Sequence, residues 1–327
     1  MWQREAPLST PIAKRIDMWR RGFRESSYTL YDLDSARPRD YIPDSARLDT
    51  FFINGSVARG VLNDKLLFSS LLQHHLPIPK TLALIGRGEL YAPGQRADVA
   101  TLVERHGSVI LKPSDGSRGV GVYRLATSED GLTLNGQVTT LEEVRRLVES
   151  FDNYLVSQEV QQAAYARAIC AETTNTVRVL TLMDPDTAEP FVACAIHRFG
   201  TPKTAPVDGW SLGGLSCGCE PDTGTLGPGV RSLEFTNGEL RWYSHHPDTG
   251  APLEGVRIPH WKALCDGLLN AVRAFPFLAY VGWDVVVTDD GFAVIEGNNN
   301  TDIGLQMHRG LLNQPQVRRF YEYYKVI

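Results

Sequence analysis

The chain has 327 residues, 43% of them hydrophobic and 22% charged, an ordinary globular composition with length enough for two or three lobes around a substantial core. Its formal net charge of −5 comes from 33 basic and 38 acidic residues intermixed along the chain, which excludes a long basic stripe for nucleic acid and leaves only a few local cations to hold a small anion. No stretch reaches the roughly 18 apolar residues of a membrane span, the first residues lack the apolar centre of a secretory signal, and five scattered cysteines fit reduced thiols, so a cytoplasmic protein without membrane or nucleic-acid partners is expected.

In chain order, residues 11–25 place Ile12, Ile16, Trp19 and Phe23 at the spacing of an amphipathic helix, with Arg15, Arg20, Arg21 and Arg24 as a solvated face. Residues 26–57, rich in Asp, Arg, Pro and Ser, read as irregular. A helix is predicted over 63–76, with Leu66, Leu67, Leu71 and Leu72 inward, Asn63 or Asp64 as cap and Pro77 beyond its end. A strand at 81–85 and a short helix at 97–106 follow.

Residues 109–112 and 120–125 read as strands joined by Pro113-Ser114-Asp115-Gly116-Ser117-Arg118-Gly119. Backbone N–H groups of such a Gly/Ser loop can wrap an anion, and Lys112 and Arg118 flank it. The loop leads into a strand rather than a helix, so it is not a Walker loop but is of the kind that covers ATP phosphates between two β-strands. A helix at 140–151 and a strand at 153–160 come next. Three strand-like runs, 176–183, 190–199 and 212–220, then bury Arg178, Arg198 and His197, and a buried guanidinium needs a carboxylate or a bound anion. Cys217 and Cys219 are too close for a zinc pair and read as small strand residues. His245 and His246 read as structural.

A helix at 259–275 leads to a β-hairpin, with apolar runs at 279–288 and 292–296 around the turn Asp289-Asp290-Gly291. Period-2 alternation puts Glu296 and Asn298 on one face of the second strand, and the tight turn is expected to bring Asp284 beside them. Two carboxylates and an amide oxygen on a largely apolar hairpin form a hard-oxygen set suited to Mg²⁺ with phosphate and water completing it. Residues 306–313 and 315–325 close the chain helically.

A lysine-bearing helix, a strand-Lys-Pro-Gly/Ser-loop-strand, a strand ending Gln158-Glu159-Val160 and an Asp…Glu-x-Asn hairpin, in that order, resemble the ATP-grasp superfamily. NTVRVLTL at 175–182, HRFG…VDGWSLGGLSCGCEPDTG at 197–224 and HPDTGAPLEGVRIPHW at 246–261 are similar to its sugar-transfer-associated branch, relatives of D-alanine–D-alanine-ligase-like carboxylate–amine ligases. The likeness covers roughly residues 60–313. It implies an α+β ATP-grasp fold: a short N-terminal extension and linker helix (1–84), a small lid subdomain (85–160) and a large subdomain with the metal site (161–327), the two lobes gripping ATP.

Carried over residue by residue, the resemblance makes Lys65 and Lys112 ligands of the ATP phosphates, with Ser114, Gly116, Ser117 and Gly119 in the loop closing over them. It places Gln158, Glu159 and Val160 at the adenine hinge, and makes Asp284, Glu296 and Asn298 ligands of two Mg²⁺ ions bridged by Glu296. Arg178 and Arg198, with Lys112, face the transferred phosphate or the acid. Many amino-acid ligases of this superfamily carry an Arg two residues before the first metal-ligating Asp; Gly282 stands there, so Arg178 or Arg198 is the expected replacement. For Arg198 a salt bridge to Asp208 is the structural alternative. The implied activity joins a small carboxylate, activated as acyl-phosphate, to an amine or thiol in a natural-product or cell-surface polysaccharide pathway, by a monomer or homodimer. A small-molecule kinase on the same fold and a non-catalytic nucleotide-binding module are the alternatives.

Overall fold

The computed structural model describes residues 11–93, 95–116, 119–129 and 131–327. Residues 11–80 hold four helices, α1 (Ile12–Arg20), α2 (Glu25–Leu30), α3 (Ser56–Asn63) and α4 (Lys65–Leu72), with short 3₁₀ turns between. The stripe expected to bury α1 faces solvent instead, Ile12 being 75% and Trp19 64% exposed. Met18 goes inward in its place, because α1 ends at Arg20 and Phe23, beyond it, turns back into a cluster with Tyr28, Tyr31 and Val230. The helix predicted over 63–76 is two helices broken at Asp64. Its carboxylate accepts the N–H groups of Leu66 and Leu67, both at 2.9 Å, and so starts α4 afresh; α3 lies within and beyond residues read as irregular.

An eight-stranded antiparallel sheet follows: β1 (Thr81–Gly86), β2 (Glu89–Ala92), β3 (Gln95–Arg96), β4 (Ser108–Pro113), β5 (Tyr123–Ser128), β6 (Gly131–Leu134), β7 (Gln137–Val138) and β8 (Tyr154–Gln158), in the order β3-β2-β1-β8-β4-β5-β6-β7. It starts at Thr81, so the boundary expected at residue 84 falls inside β1. Helices α5 (Val99–His106) and α6 (Leu141–Glu149), the latter begun by a Thr140–Glu143 capping box, bury Val103, Val144 and Val148 against Val109, Leu111 and Leu125. Alternation along β4 therefore turns Lys112 to the face away from these helices.

The second sheet has seven antiparallel strands: β9 (Val177–Met183), β10 (Pro190–Phe199), β11 (Leu215–Cys219), β12 (Leu226–Arg231), β13 (Trp242–Tyr243), β14 (Tyr280–Thr288) and β15 (Gly291–Asn298), ordered β13-β12-β11-β10-β9-β14-β15. The short α7 (Ala164–Ile169) links the two sheets in the chain. One face packs on α8 (Trp261–Ala274), whose Leu264, Leu268, Ala271 and Val272 meet Val179, Val281, Trp283 and Val285. On the other face, α9 (Pro315–Tyr323) covers Leu180, Leu182 and Tyr280 with Val317, Phe320 and Tyr321. The same face also carries Arg178, Arg198, Asp284 and Glu296, and the site lies there. Among the described residues no helix is long and apolar enough to cross a membrane.

Candidate active site

The hairpin forms as expected, but its turn alone does not bring the acids together. Val287 pairs with Phe292 and Val285 with Val294; continued unbroken, that register would set Asp284 opposite Ile295 and point Glu296 to the opposite face. A bulge between Asp284 and Val285 absorbs one residue of β15, so that Asp284 opposes Glu296 and Gly282 opposes Asn298. This corrects the simple turn argument: the cluster depends on the bulge.

Asp284 is 2% exposed. Arg178, its cross-strand neighbour on β9, grips both carboxylate oxygens through Nε and Nη2, the Nη2 bond being 2.7 Å long. Arg198 Nη2 adds a contact at 3.1 Å. Burial pushes the Asp284 carboxyl up, but the charges of Arg178 and Arg198 prevail and hold it well below the usual carboxylate range. Arg198 also lies 3.5 Å from Asp208 and donates to Thr176 Oγ1, while Asp208 accepts the N–H and hydroxyl of Thr176 at 2.8 and 2.5 Å. The expected structural alternative for Arg198 is thus present, extended by a contact to Asp284.

Glu296 and Asn298 are half-buried. Asn298 Nδ2 donates to Gly282 O at 3.1 Å and lies 3.5 Å from Glu296 Oε1. Burial, then the neighbouring Asp284 charge, raise the Glu296 carboxyl, with Lys65 at 3.6 Å opposing them. Glu296 is therefore a carboxylate short of positive charge, and with the Asn298 amide beside it the pair fits a hard divalent cation. Asp284 does not fit as it stands, because its oxygens are engaged by two guanidinium groups and would have to release one. Among the described residues no three His, Cys, Asp or Glu side chains gather as a metal site.

Lys65 is placed by packing. Phe68 and Leu62 press against Gly297, where a Cβ would meet them at 2.7 and 2.8 Å, so α4 sits directly on β15 with its first residue beside Glu296. The Lys65 N–H donates to Ser114 O at 2.8 Å and its Nζ to Gly116 O at 3.2 Å, tying the Gly/Ser loop to the hairpin. Lys112, half-buried, has its pKa pushed down to about 8, mainly by burial, with Glu296 opposing and Lys65 assisting. Gly119, at φ +70°, lies against Val207, which a Cβ would approach to 2.9 Å. Ser117 and Arg118 lie outside the described residues.

Gln158 ends β8, and Glu159 and Val160 follow it out of the strand. The Gln158 N–H donates to Lys80 O at 2.9 Å, and Glu159 accepts from Arg124 Nε at 2.6 Å with its Oε2 buried and without a hydrogen-bond partner among the described residues. Gln158 pairs with Val109 and Leu155 with Lys112, so the trio sits one strand over and three residues, about 10 Å, along from Lys112.

Sequence reasoning missed why Gly282 is glycine. A Cβ there would lie 1.7 Å from Thr301 Oγ1, because residues 299–308 cross back over the sheet immediately after Asn298. It also missed Asn54, buried ahead of α3. Its amide bonds Tyr280 O at 2.7 Å and Asn299 Oδ1 at 2.9 Å, fixing the start of that crossing; a single Asn directly after the apolar run Phe51-Phe52-Ile53 was the available signal.

The model of the sugar-transfer associated ATP-grasp family matches residues 47–319. Similar solved structures include D-cycloserine synthetase DcsG, at 16% identity over 83% of this chain and 73% of that one, TM-score 0.45. They also include D-alanyl-alanine synthetase A from Vibrio cholerae, at 14% identity over 83% of this chain and 63% of that one, TM-score 0.45. D-alanine–D-alanine ligase from Bacillus anthracis is similar at 12% identity over 83% of this chain and 71% of that one, TM-score 0.44. No curated protein sequence matches the chain.

Proposed function

Because the chain belongs to the sugar-transfer associated ATP-grasp family, we propose that it is an ATP-dependent ligase that activates a small carboxylate as an acyl-phosphate and passes the acyl group to an amine or thiol. The observation that carries this reading is the meeting of Lys65, Lys112, Glu296 and Asn298 where the Gly/Ser loop of one sheet touches the hairpin of the other. Four cations, Lys65, Lys112, Arg178 and Arg198, face three carboxylates, Glu296, Asp284 and Asp208, an excess of positive charge that favours phosphate oxygens.

The roles follow from position. Gln158, Glu159 and Val160, about 10 Å along the sheet from Lys112, would hold the base while Ser114, Gly116 and Gly119 cover the phosphates. Glu296 and Asn298 would hold Mg²⁺, which when bound offsets charge on the phosphoryl group in transfer. Lys65 and Lys112 then supply fixed positive charge on the other side. Arg178 and Arg198 lie next along the sheet, their guanidinium planes set by Asp284 and Asp208, where an acid or its acyl-phosphate would be oriented. The small lobe, from β1 to the end of β8, would close on the large one at 161–327.

ADP release, screened across carboxylic acids singly and with amines or thiols, tests the reading, with hydroxylamine added to trap the intermediate. A hydroxamate formed with the productive acid is the expected result. ADP release with a hydroxyl acceptor and no hydroxamate would make the protein a kinase, and no ADP release with any acid would overturn the assignment.

A further inference from the structure

Away from the candidate active site, and lined by none of its residues, an open cleft of about 750 Å³ separates the N-terminal extension from the end of the chain. Residues 21–43 form one wall, with Ala36, Pro38, Tyr41 and Pro43 half-buried along it; Leu312 and, on α9, Arg318 stand on the other. A polar hollow of about 420 Å³ adjoins it, sharing Arg37, Arg39 and Arg318 and adding Asp40 and Asn313. The wall at 21–43 precedes residues 47–319, the part that the family model matches. That wall is fixed in place. Gln306, fully buried, accepts the Ile42 N–H at 2.8 Å and donates to its carbonyl at 2.9 Å, and Tyr41 stacks on Tyr31 with ring centres 5.1 Å apart at 12°.

Four arginines line the two hollows, and only two of them are neutralised. Arg21 pairs with Asp17 at 3.0 Å and Arg37 with Asp40 at 3.1 Å. Among the described residues Arg318 meets no carboxylate: its Nε donates to Leu312 O at 3.1 Å and its Nη2 to Arg39 O at 2.7 Å, which lays the guanidinium against the backbone of the next cation. Arg39 is exposed, and among the described residues its side chain has no partner.

We propose that this cleft is a second binding site, for a small organic phosphate: the phosphate in the polar hollow at Arg39 and Arg318, its carbon body along Pro38, Tyr41 and Pro43. The inference goes beyond the ligase reading and does not rest on it. Two guanidinium groups without carboxylates supply the charge that a phosphate monoester carries near pH 7, and their planar forks match its oxygens. A single carboxylate would leave one of the two cations unneutralised. A longer polyanion would gain from Arg21 and Arg37 only by breaking their pairs with Asp17 and Asp40. Because backbone carbonyls already hold the plane of Arg318, little side-chain freedom is lost there on binding. The apolar wall then favours a phosphate with a ring or chain attached over the bare ion, and the volume is that of a small-molecule site.

Calorimetry on the full chain without nucleotide tests the site with three probes: phenyl phosphate, inorganic phosphate and benzyl alcohol. Phenyl phosphate should bind saturably, one to one, and at least about tenfold more tightly than inorganic phosphate, the worth of a partly buried ring. It should exceed benzyl alcohol by at least the same factor of about ten, the worth of one charge-assisted hydrogen bond. Arg39→Ala should weaken phenyl phosphate at least about tenfold and Arg39→Glu should abolish its binding. Both variants should unfold in urea with the wild type, since the side chain they replace is exposed and holds nothing. Lys112→Ala should leave phenyl phosphate binding within about twofold, because Lys112 belongs to the other phosphate site. No saturable binding of phenyl phosphate, equal binding of inorganic phosphate or benzyl alcohol, or binding that survives Arg39→Glu would overturn the proposal. So would binding lost on Lys112→Ala, which would place the phosphate between the two sheets instead.

Discussion

Replacing Asp284 by Asn separates two roles that one carboxylate can play in such a site. Asp284 is 2% exposed, holds Arg178 through two bonds and meets Arg198 at 3.1 Å. An Asn of the same shape would remove the charge and turn an N–H₂ group toward guanidinium donors, leaving the buried Arg178 and half-buried Arg198 with only Asp208 in contact and Glu296 nearby. Removing one partner of a buried pair costs about 3–5 kcal/mol. With a urea dependence of about 3 kcal/mol per molar, that lowers the unfolding midpoint by about 1 M or more. Glu296→Gln is the control: Glu296 is half-buried and its nearest cation, Lys65, is 3.6 Å away, so its midpoint should move by no more than about 0.3 M. The assay is urea unfolding followed by circular dichroism, with Mg²⁺-dependent nucleotide binding measured on the same samples. If Asp284→Asn unfolds with the wild type yet loses Mg²⁺-dependent binding, Asp284 is a metal ligand first and the reasoning from its arginine partners fails.

Glu296→Gln should cut ADP release at least about 10²-fold, the loss expected on removing a main electrostatic stabiliser; normal turnover would remove Glu296 from the metal site. Lys112→Ala should weaken Mg-ATP binding in calorimetry while shifting the unfolding midpoint little, because among the described residues its half-buried ammonium makes no salt bridge and feels Glu296 only at a distance; the reverse pattern would make it structural. Gly282→Ala should destabilise by about 1–3 kcal/mol through its clash with Thr301, and adding Thr301→Gly should recover most of that; a neutral single variant would refute the steric account. His197, fully buried with Nε2 2.8 Å from the Tyr165 hydroxyl, has its pKa pushed down to about 3 by burial. The unfolded chain binds that proton near pH 6.5 and the folded one does not, so its contribution is complete above that pH and falls by about 1.4 kcal/mol per unit as pH drops toward 3. His197→Phe should flatten the pH dependence of urea stability between 6.5 and 5 by that amount, and an unchanged slope would count against a neutral buried imidazole.

What the sequence shows well is whatever a short window contains. The α8 stripe of Leu264, Leu268 and Val272, the Thr140-to-Glu143 capping box and the apolar runs of the hairpin are local patterns, and the corresponding elements are present. Edge strands such as Gln95–Arg96 and Trp242–Tyr243 are two residues long and leave no period to read. In the same way α3 was hidden by Gly60 in its middle and by Asp64, which ends it in order to begin α4. The α1 stripe failed for the opposite reason: its spacing is helical, but the cluster around Tyr28 and Val230 accepts Met18 from another side of the helix.

The site shows the same division, because its chemistry is assembled across strands rather than along one. The residue types at 284, 296 and 298 are readable, yet their meeting depends on one bulged residue that no local pattern marks, since Ile295 would sit as well in a regular strand. The glycine at 282 makes the point most sharply. Read from the sequence alone, it looks like a missing cation; in the fold it is where Thr301 crosses the sheet, and no side chain has room. The cation opposite Asp284 comes instead from β9, where Arg178 stands in register with it, and Arg198 joins from β10. Crossing segment and cation placement meet at this position: with Gly282 the segment lies low enough to reach Ser216 with His308, and the guanidinium that holds Asp284 reaches it from the neighbouring strand.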